Sequence, residues 1–109
     1  MAVIKQKILE KEIQLAICDY LAYKRDIMFW RQNTSPIHAD GKFRSMPKYS
    51  KTGVPDIIVI KNGIFIGLEV KRPKHKQSET QIEFQTELEK AGGKYYVVTS
   101  IDDVKSIGL

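Results

Sequence analysis

The sequence predicts an α/β domain in which helices flank a central mixed β-sheet. Three features lead to this prediction: an early amphipathic helical pattern, two β-rich runs around an Asn-Gly pair, and a later helix that precedes a last strand. The hairpin contributes antiparallel strands, whereas a strand, helix and strand in succession contribute a parallel pair. At 109 residues the chain has room for one domain, over residues 1–109.

The first predicted helix spans about residues 8–21. Its apolar stripe recurs at spacings of three and four and consists of Leu9, Ile13, Ala16, Ile17 and Tyr20. A β-prone run follows at residues 27–32. Residues 33–53 are dense in Asn, Ser, Pro, Gly and Lys, so we expect a long, mobile, basic loop there.

The clearest local signal lies between Asp56 and Lys71. Asn62-Gly63 is the pair preferred in a two-residue type I′ turn, because both positions need positive φ. Pairing outward from this turn places Asp56 opposite Glu69. One face of the hairpin is then wholly apolar, and the other carries Asp56, Glu69 and Lys71.

A second helix is predicted to start near Ser78 or Thr80, since each can cap a helix and has Gln or Glu three residues later. Gln81 falls on the core-facing stripe of this helix. Gly92-Gly93 ends it, and residues 95–107 are typical of a strand followed by a short capped helix.

Positive charge is concentrated in the middle of the chain. The whole chain carries +5, yet residues 41–76 hold nine bases and two acids, a net charge of +7. This concentration indicates a polyanionic partner such as nucleic acid. A solvated basic loop explains the charge alone equally well.

Cysteine content and hydropathy indicate the compartment. A single cysteine, Cys18, cannot form an internal disulfide, which fits a reducing environment. The apolar runs are too short to span a bilayer, and the start of the sequence lacks a signal-peptide pattern. We therefore expect a cytoplasmic protein without a membrane partner.

Asp56 and Glu69 form the candidate site. Two carboxylates across an antiparallel pair repel each other unless a cation joins them, and Mg²⁺ binds one or two protein carboxylates. Lys71 shares their face and could orient or help to deprotonate an attacking water. Solvated, alternating charges on a sheet face are the structural alternative, but the common face of all three favours a functional site.

These residues resemble a nuclease signature. Asp56, followed after a hairpin by Glu69-Val-Lys71, is similar to the motif of the PD-(D/E)xK superfamily, whose restriction-endonuclease-like core has the order α-β-β-β-α-β(-α). Gly53-Val-Pro-Asp56, Gln81 in the following helix and the segment 91–104 further resemble the VRR-NUC (virus-type replication-repair nuclease) domain in its short stand-alone phage and bacterial form. The resemblance covers nearly the whole chain.

The resemblance implies particular site residues. It implies Mg²⁺, with Mn²⁺ as a substitute, bound by Glu12, Asp56, Glu69 and the Val70 carbonyl. The implied catalytic residues are Glu12, Asp56, Glu69, Lys71 and Gln81. Glu12 here matches the acidic residue of the family's first helix, and it lies at the border of the apolar stripe.

The implied activity is a Mg²⁺-dependent endodeoxyribonuclease that hydrolyses phosphodiester bonds, with no small-molecule substrate. The family further implies a homodimer that cleaves four-way (Holliday) junctions in DNA repair, in a bacterial cell or phage-infected host. Basic residues on both sides of the site would bind the DNA backbone, namely Lys42, Arg44, Lys48, Lys51, Arg72, Lys74 and Lys76. Leu15 and Ile82, off the core stripes, are candidates for an apolar dimer contact.

Two other functions stay open at this point. One is a different nuclease of the same superfamily, such as a restriction-like or archaeal-type resolvase. The other is a non-catalytic DNA-binding module that kept the fold.

Overall fold

The helices and the strands of the main sheet follow one another in the predicted order, namely helix, strand, hairpin, helix, strand and helix. The computed structural model describes residues 9–32, 38–39, 42–43 and 47–109. The elements are α1 (Glu10–Leu21), β1 (Ile27–Arg31), β2 (His38–Ala39), β3 (Lys42–Phe43), β4 (Ile57–Lys61), β5 (Ile64–Val70), α2 (Glu79–Lys90), β6 (Lys94–Val98) and α3 (Ile101–Ser106). The short antiparallel pair β2 and β3 lies where the sequence predicts only loop.

Among the described strands, β1, β4, β5 and β6 form one mixed sheet in that spatial order. β6 joins β5 in parallel after the α2 crossover, whereas the other neighbours are antiparallel. Asn62 and Gly63 have φ values of 53° and 77°, as a type I′ turn requires. Ile57 pairs with Leu68 in β5, which confirms the predicted hairpin register.

The predicted apolar face of the hairpin forms the core with α1 and α3. Its buried members from the two hairpin strands are Ile57, Val59, Ile66, Leu68 and Val70. In α1 the buried residues are Ile13, Ile17 and Leu21, which recur every four residues, whereas Ala16 and Leu9 are exposed. The stripe is therefore narrower than predicted and is rotated away from these two residues.

α2 packs against the opposite face of the sheet. Leu88 lies against Gly93, where an added Cβ would be 2.4 Å from the leucine Cδ1. The Phe84 and Tyr95 rings have centroids 6.4 Å apart, and Gln81 reaches Glu69. The N-terminus of α2 therefore lies beside the strand ends that carry Asp56 and Glu69.

Two helical layers thus enclose the sheet. Leu15 and Ile82 are exposed, at 55% and 49%, but they belong to α1 and α2 in opposite layers. Within the described residues, no helix combines the length and apolar character needed to cross a membrane.

Candidate metal centre

Asp56 is held in place by the strand next to it. It directly precedes β4, and its Oδ2 accepts a hydrogen bond from the backbone N–H of Val70 at 2.8 Å. Extending the Ile57–Leu68 pair by one position places Asp56 opposite Glu69. The structure therefore brings the two carboxylates together as the register predicts.

Glu69 is an ionisable side chain in a nearly closed environment. It is only 3% exposed. Its Oε2 accepts a hydrogen bond from Gln81 Nε2 at 3.0 Å and lies 3.9 Å from Lys71 Nζ. Its Oε1 is buried and finds no hydrogen-bond partner among the described residues.

The electrostatics of Glu69 follow from this environment. Burial, and next the negative charge of Asp56, raise the pKa of Glu69 to about 9, although Lys71 acts in the opposite direction. A carboxylate that loses water and faces a second carboxylate is costly to ionise. The pair is therefore short of positive charge.

A divalent cation would supply the positive charge that the carboxylate pair lacks. The unpartnered Glu69 Oε1 and the carboxylate of Asp56 are hard oxygen donors of the kind that Mg²⁺ binds. Val70 directly follows Glu69 in β5, and it has a buried side chain and an N–H bonded to Asp56. The predicted ligand role of the Val70 carbonyl stays a prediction.

Gln81 links the site to the start of α2. Ser78 caps the helix, which confirms the first of the two predicted start positions. Its backbone N–H donates to Gln81 Oε1 at 2.8 Å. Because Oε1 is used in this way, the amide Nε2 faces Glu69. The capping box therefore fixes the orientation of Gln81, which in turn positions one oxygen of Glu69.

The Gly53-Val-Pro-Asp56 segment has a packing reason for its glycine and proline. Gly53 has φ +74°, and a Cβ there would lie 2.2 Å from the carbonyl oxygen of Thr80. Pro55 is buried against Gly67, where a Cβ would lie 2.5 Å from the proline Cγ. Close contact with α2 on one side and β5 on the other delivers Asp56 to the site.

The structure does not bring Glu12 into this group. Glu12 is exposed, its Oε2 accepts the backbone N–H of Leu9 at 3.4 Å, and it lines a cleft of about 530 Å³ between α1 and the start of α3. Glu10 is half-buried, and its charge contributes to the raised pKa of Glu69. No group of three or more metal-binding side chains is assembled within the described residues.

Sequence spacing could have identified Glu10. It precedes Ile13 by three residues, and the buried positions Ile17 and Leu21 continue at spacings of four. Glu10 therefore lies on the buried stripe of α1, whereas Glu12 lies beside it. The metal role that the resemblance implies for Glu12 stays a prediction.

The basic residues lie in two described segments. Lys48 is exposed beside the Tyr49 ring, and Lys51 forms a 2.6 Å ion pair with Glu87 of α2. After β5, Arg72 is half-buried, and the other predicted contacts there, Lys74 and Lys76, are exposed. Arg44 and the side chain of Lys42 lie outside the described residues.

Sequence reasoning missed a buried hydroxyl near the site. Tyr95 is 5% exposed, and its Oη has no hydrogen-bond partner among the residues that the structure describes. Burial raises the pKa of this hydroxyl. Tyr95 pairs with Gly67, so strand alternation from Glu69 would have placed it on the same face.

Comparison with known proteins identifies the architecture. A solved structure described as "VRR_NUC domain" superimposes with a TM-score of 0.61 and 20% identity, covering 90% of this chain and 91% of that one. A second, described as "VRR_NUC domain protein", gives 0.63 and 19%, covering 94% and 87%. The chain has the VRR_NUC fold. No family model and no curated protein matches the sequence.

The VRR_NUC fold confirms the predicted α/β architecture and its mixed sheet over nearly the whole chain. At this level of identity the likeness concerns the fold.

Proposed function

We propose that this chain is a metal-dependent nuclease that hydrolyses phosphodiester bonds in DNA. The proposal rests on the buried Oε1 of Glu69, which has no hydrogen-bond partner among the described residues. Glu69 lies next to Asp56, and its other oxygen, Oε2, is 3.9 Å from Lys71 Nζ. Buried polar atoms in folded proteins are nearly always hydrogen-bonded, so this oxygen calls for a partner, and a bound cation would supply one. The VRR_NUC fold supports the same proposed function.

Asp56 and Glu69 would bind Mg²⁺ or Mn²⁺, with the Val70 carbonyl as a further ligand. Bound metal would supply a Lewis acid that lowers the pKa of water and offsets charge on the scissile phosphate. The residues of the chain hold this arrangement in place: Val70 N–H orients Asp56, and Gln81 orients Glu69. Orientation from such surrounding groups is worth about 10- to 100-fold in metal affinity.

Lys71 would act on the reacting groups. Its side chain is 14% exposed and its charge is held near Glu69, so the ammonium group is partly removed from bulk water. There it can orient the attacking water and stabilise negative charge on the phosphoryl oxygens. Its charge counts for more in this partly dry environment than on the open surface.

Glu10 is our candidate for the helix carboxylate of the site, in place of Glu12. It is half-buried on the core-facing stripe of α1, whereas Glu12 is exposed and accepts the backbone N–H of Leu9. The DNA phosphates would be bound by the basic residues that follow β5 and by Lys48. Lys51 would exchange Glu87 for a phosphate, because exposed ion pairs are weak.

We further propose that the substrate is branched DNA, cleaved at four-way junctions by a homodimer. The support is chemical: two symmetric cuts require two sites, and the described residues form one carboxylate pair. Because Leu15 and Ile82 lie in opposite layers, a two-fold contact would centre on one of them.

The test is a substrate panel at equal concentration in Mg²⁺: a four-way junction, a flap, a plain duplex and a single strand. We expect strongest cleavage of the junction and its loss in Lys71→Ala, with binding in Ca²⁺ retained. The matched control, Lys61→Ala, removes a lysine that bonds the Gly108 carbonyl far from Asp56 along β4, and it should cleave normally.

Each other outcome of the panel has a meaning. Preference for duplex would indicate a restriction-like nuclease, and salt-sensitive binding without any cleavage would indicate a non-catalytic module. Sedimentation equilibrium of wild type and Leu15→Arg or Ile82→Arg tests the dimer and its centre.

A further inference from the structure

Trp30 lies beside the carboxylate pair on the open part of the same sheet face. It pairs with Ile58 of β4, two residues after Asp56, so the three side chains share one face. The next residue on that face, Gln32, donates its backbone N–H to the Asp56 carbonyl at 2.7 Å. Trp30 and Asp56 are thus diagonal neighbours, about 7–8 Å apart and within reach of an aromatic side chain.

The ring of Trp30 is not part of the core. α2 covers the β5 and β6 side of this face, where Phe84 packs near Tyr95. On β1, the outer strand of the sheet order, Trp30 is 38% exposed and Met28 is 66% exposed. Tryptophan is enriched at interfaces, and this ring is partly exposed beside a polar site.

The indole nitrogen of Trp30 already has a hydrogen-bond partner. Its only polar atom, Nε1, donates to Gln32 Oε1 at 2.7 Å, so the hydrogen-bonding need of the ring is met within the strand. This contact orients the ring toward Gln32, whose backbone N–H is bonded to Asp56. What the ring can offer a ligand is therefore its π surface.

Basic residues follow Glu69 of the carboxylate pair. Residues 71–76, directly after the strand β5 that carries Glu69, contain four bases and no acid. An aromatic ring beside a positive surface is how proteins hold single-stranded nucleic acid: the charge binds the backbone and the ring stacks a base. A base inside a duplex is already stacked on both sides, so the ring selects an unpaired one.

We propose that Trp30 stacks against an unpaired base of the nucleic-acid strand bound at the Asp56 and Glu69 site. This inference rests on the proposed nuclease function and deepens it. It assigns the branch point, where the continuous stacking of the duplex is interrupted and a base can open, as the part of the substrate that the protein recognises through an aromatic side chain.

The test uses the fact that Trp30 is the only tryptophan of the chain. Its fluorescence is measured in EDTA, so that no hydrolysis takes place, while oligothymidylate is added. We expect quenching by oligothymidylate, weak quenching by a blunt duplex of equal length, and none by inorganic polyphosphate at the same ionic strength. Equal quenching by polyphosphate or by the duplex would overturn the proposal.

Variants test the energetic contribution of the ring. Trp30→Ala should bind oligothymidylate roughly 5- to 100-fold more weakly, and Trp30→Phe should restore most of the affinity. Tyr23→Ala removes another exposed ring, in the turn that precedes the opposite end of β1, and should bind like wild type. Unchanged affinity in Trp30→Ala would refute the proposal.

The two proposals fail in different ways. Absence of cleavage in Mg²⁺ with oligothymidylate quenching intact would refute the nuclease and leave the base contact standing. Asp56-dependent cleavage with no Trp30 quenching would refute the base contact alone. If Trp30→Ala does not fold, as judged by circular dichroism, Trp30→Phe and the wild-type fluorescence still decide.

Discussion

Replacing Glu69 by glutamine should stabilise the metal-free protein at alkaline pH. The wild-type carboxyl is 3% exposed and faces Asp56, and burial first and Asp56 next raise its pKa from 4.5 to about 9. The folded state therefore takes up a proton that the unfolded state loses near its ordinary pKa. Below the unfolded-state pKa, Glu69 does not lower the free energy of unfolding. As pH rises from there toward the folded-state pKa, the free energy of unfolding falls.

The size of this effect has a clear upper bound. One proton difference changes the free energy of unfolding by about 1.4 kcal/mol per pH unit. Between about pH 5 and about pH 8, wild type should thus lose up to about 4 kcal/mol relative to Glu69→Gln. The glutamine amide can donate to Asp56 from the position of the unpartnered Oε1 while its oxygen keeps the bond from Gln81.

The assay is urea unfolding in EDTA across this pH range, followed by circular dichroism. The quantity compared is the difference between wild type and Glu69→Gln, so that groups common to both cancel. Glu83→Gln, the same change at an exposed position of α2, should follow wild type. If the free energies of unfolding of wild type and Glu69→Gln change with pH in the same way, burial and Asp56 do not raise the cost of ionising Glu69.

Two further outcomes are expected from the packing and charge around the site. Glu10→Gln should weaken Mn²⁺ binding about 10- to 100-fold by calorimetry, whereas Glu12→Gln should bind Mn²⁺ like wild type; the reverse order would restore Glu12 to the site. Gly67→Ala should lower the free energy of unfolding by about 1–3 kcal/mol in urea, because its Cβ would overlap Pro55; an unchanged midpoint would contradict the close contact.

The sequence predicts best where local chemistry leaves a single solution. Asn62-Gly63 admits one tight turn, and that turn determines the register through which Asp56 meets Glu69. Ser78 and Gln81 form a capping box that needs no tertiary information, and it brings the glutamine to the site. Both steps depend on spacing alone.

The remaining features depend on how layers pack. The predicted apolar stripe of α1 is wider than the buried one, and only contact with the hairpin selects the side with Ile13, Ile17 and Glu10. Whether Trp30 joins the core depends on which strands α2 covers, and the sequence does not specify this. The buried hydroxyl of Tyr95 likewise depends on the parallel pairing of β6 with β5.

Cleavage of a labelled four-way DNA junction by wild type and Asp56→Asn, each with Mg²⁺ and with EDTA, tests the proposed function most directly. Asparagine keeps the shape and can retain an acceptor for the Val70 N–H, but it removes the charge that would hold the metal beside Glu69. We expect cut product only from wild type with Mg²⁺, and junction binding by both proteins. Equal Mg²⁺-dependent cleavage by Asp56→Asn would show that the carboxylate pair is not the catalytic centre.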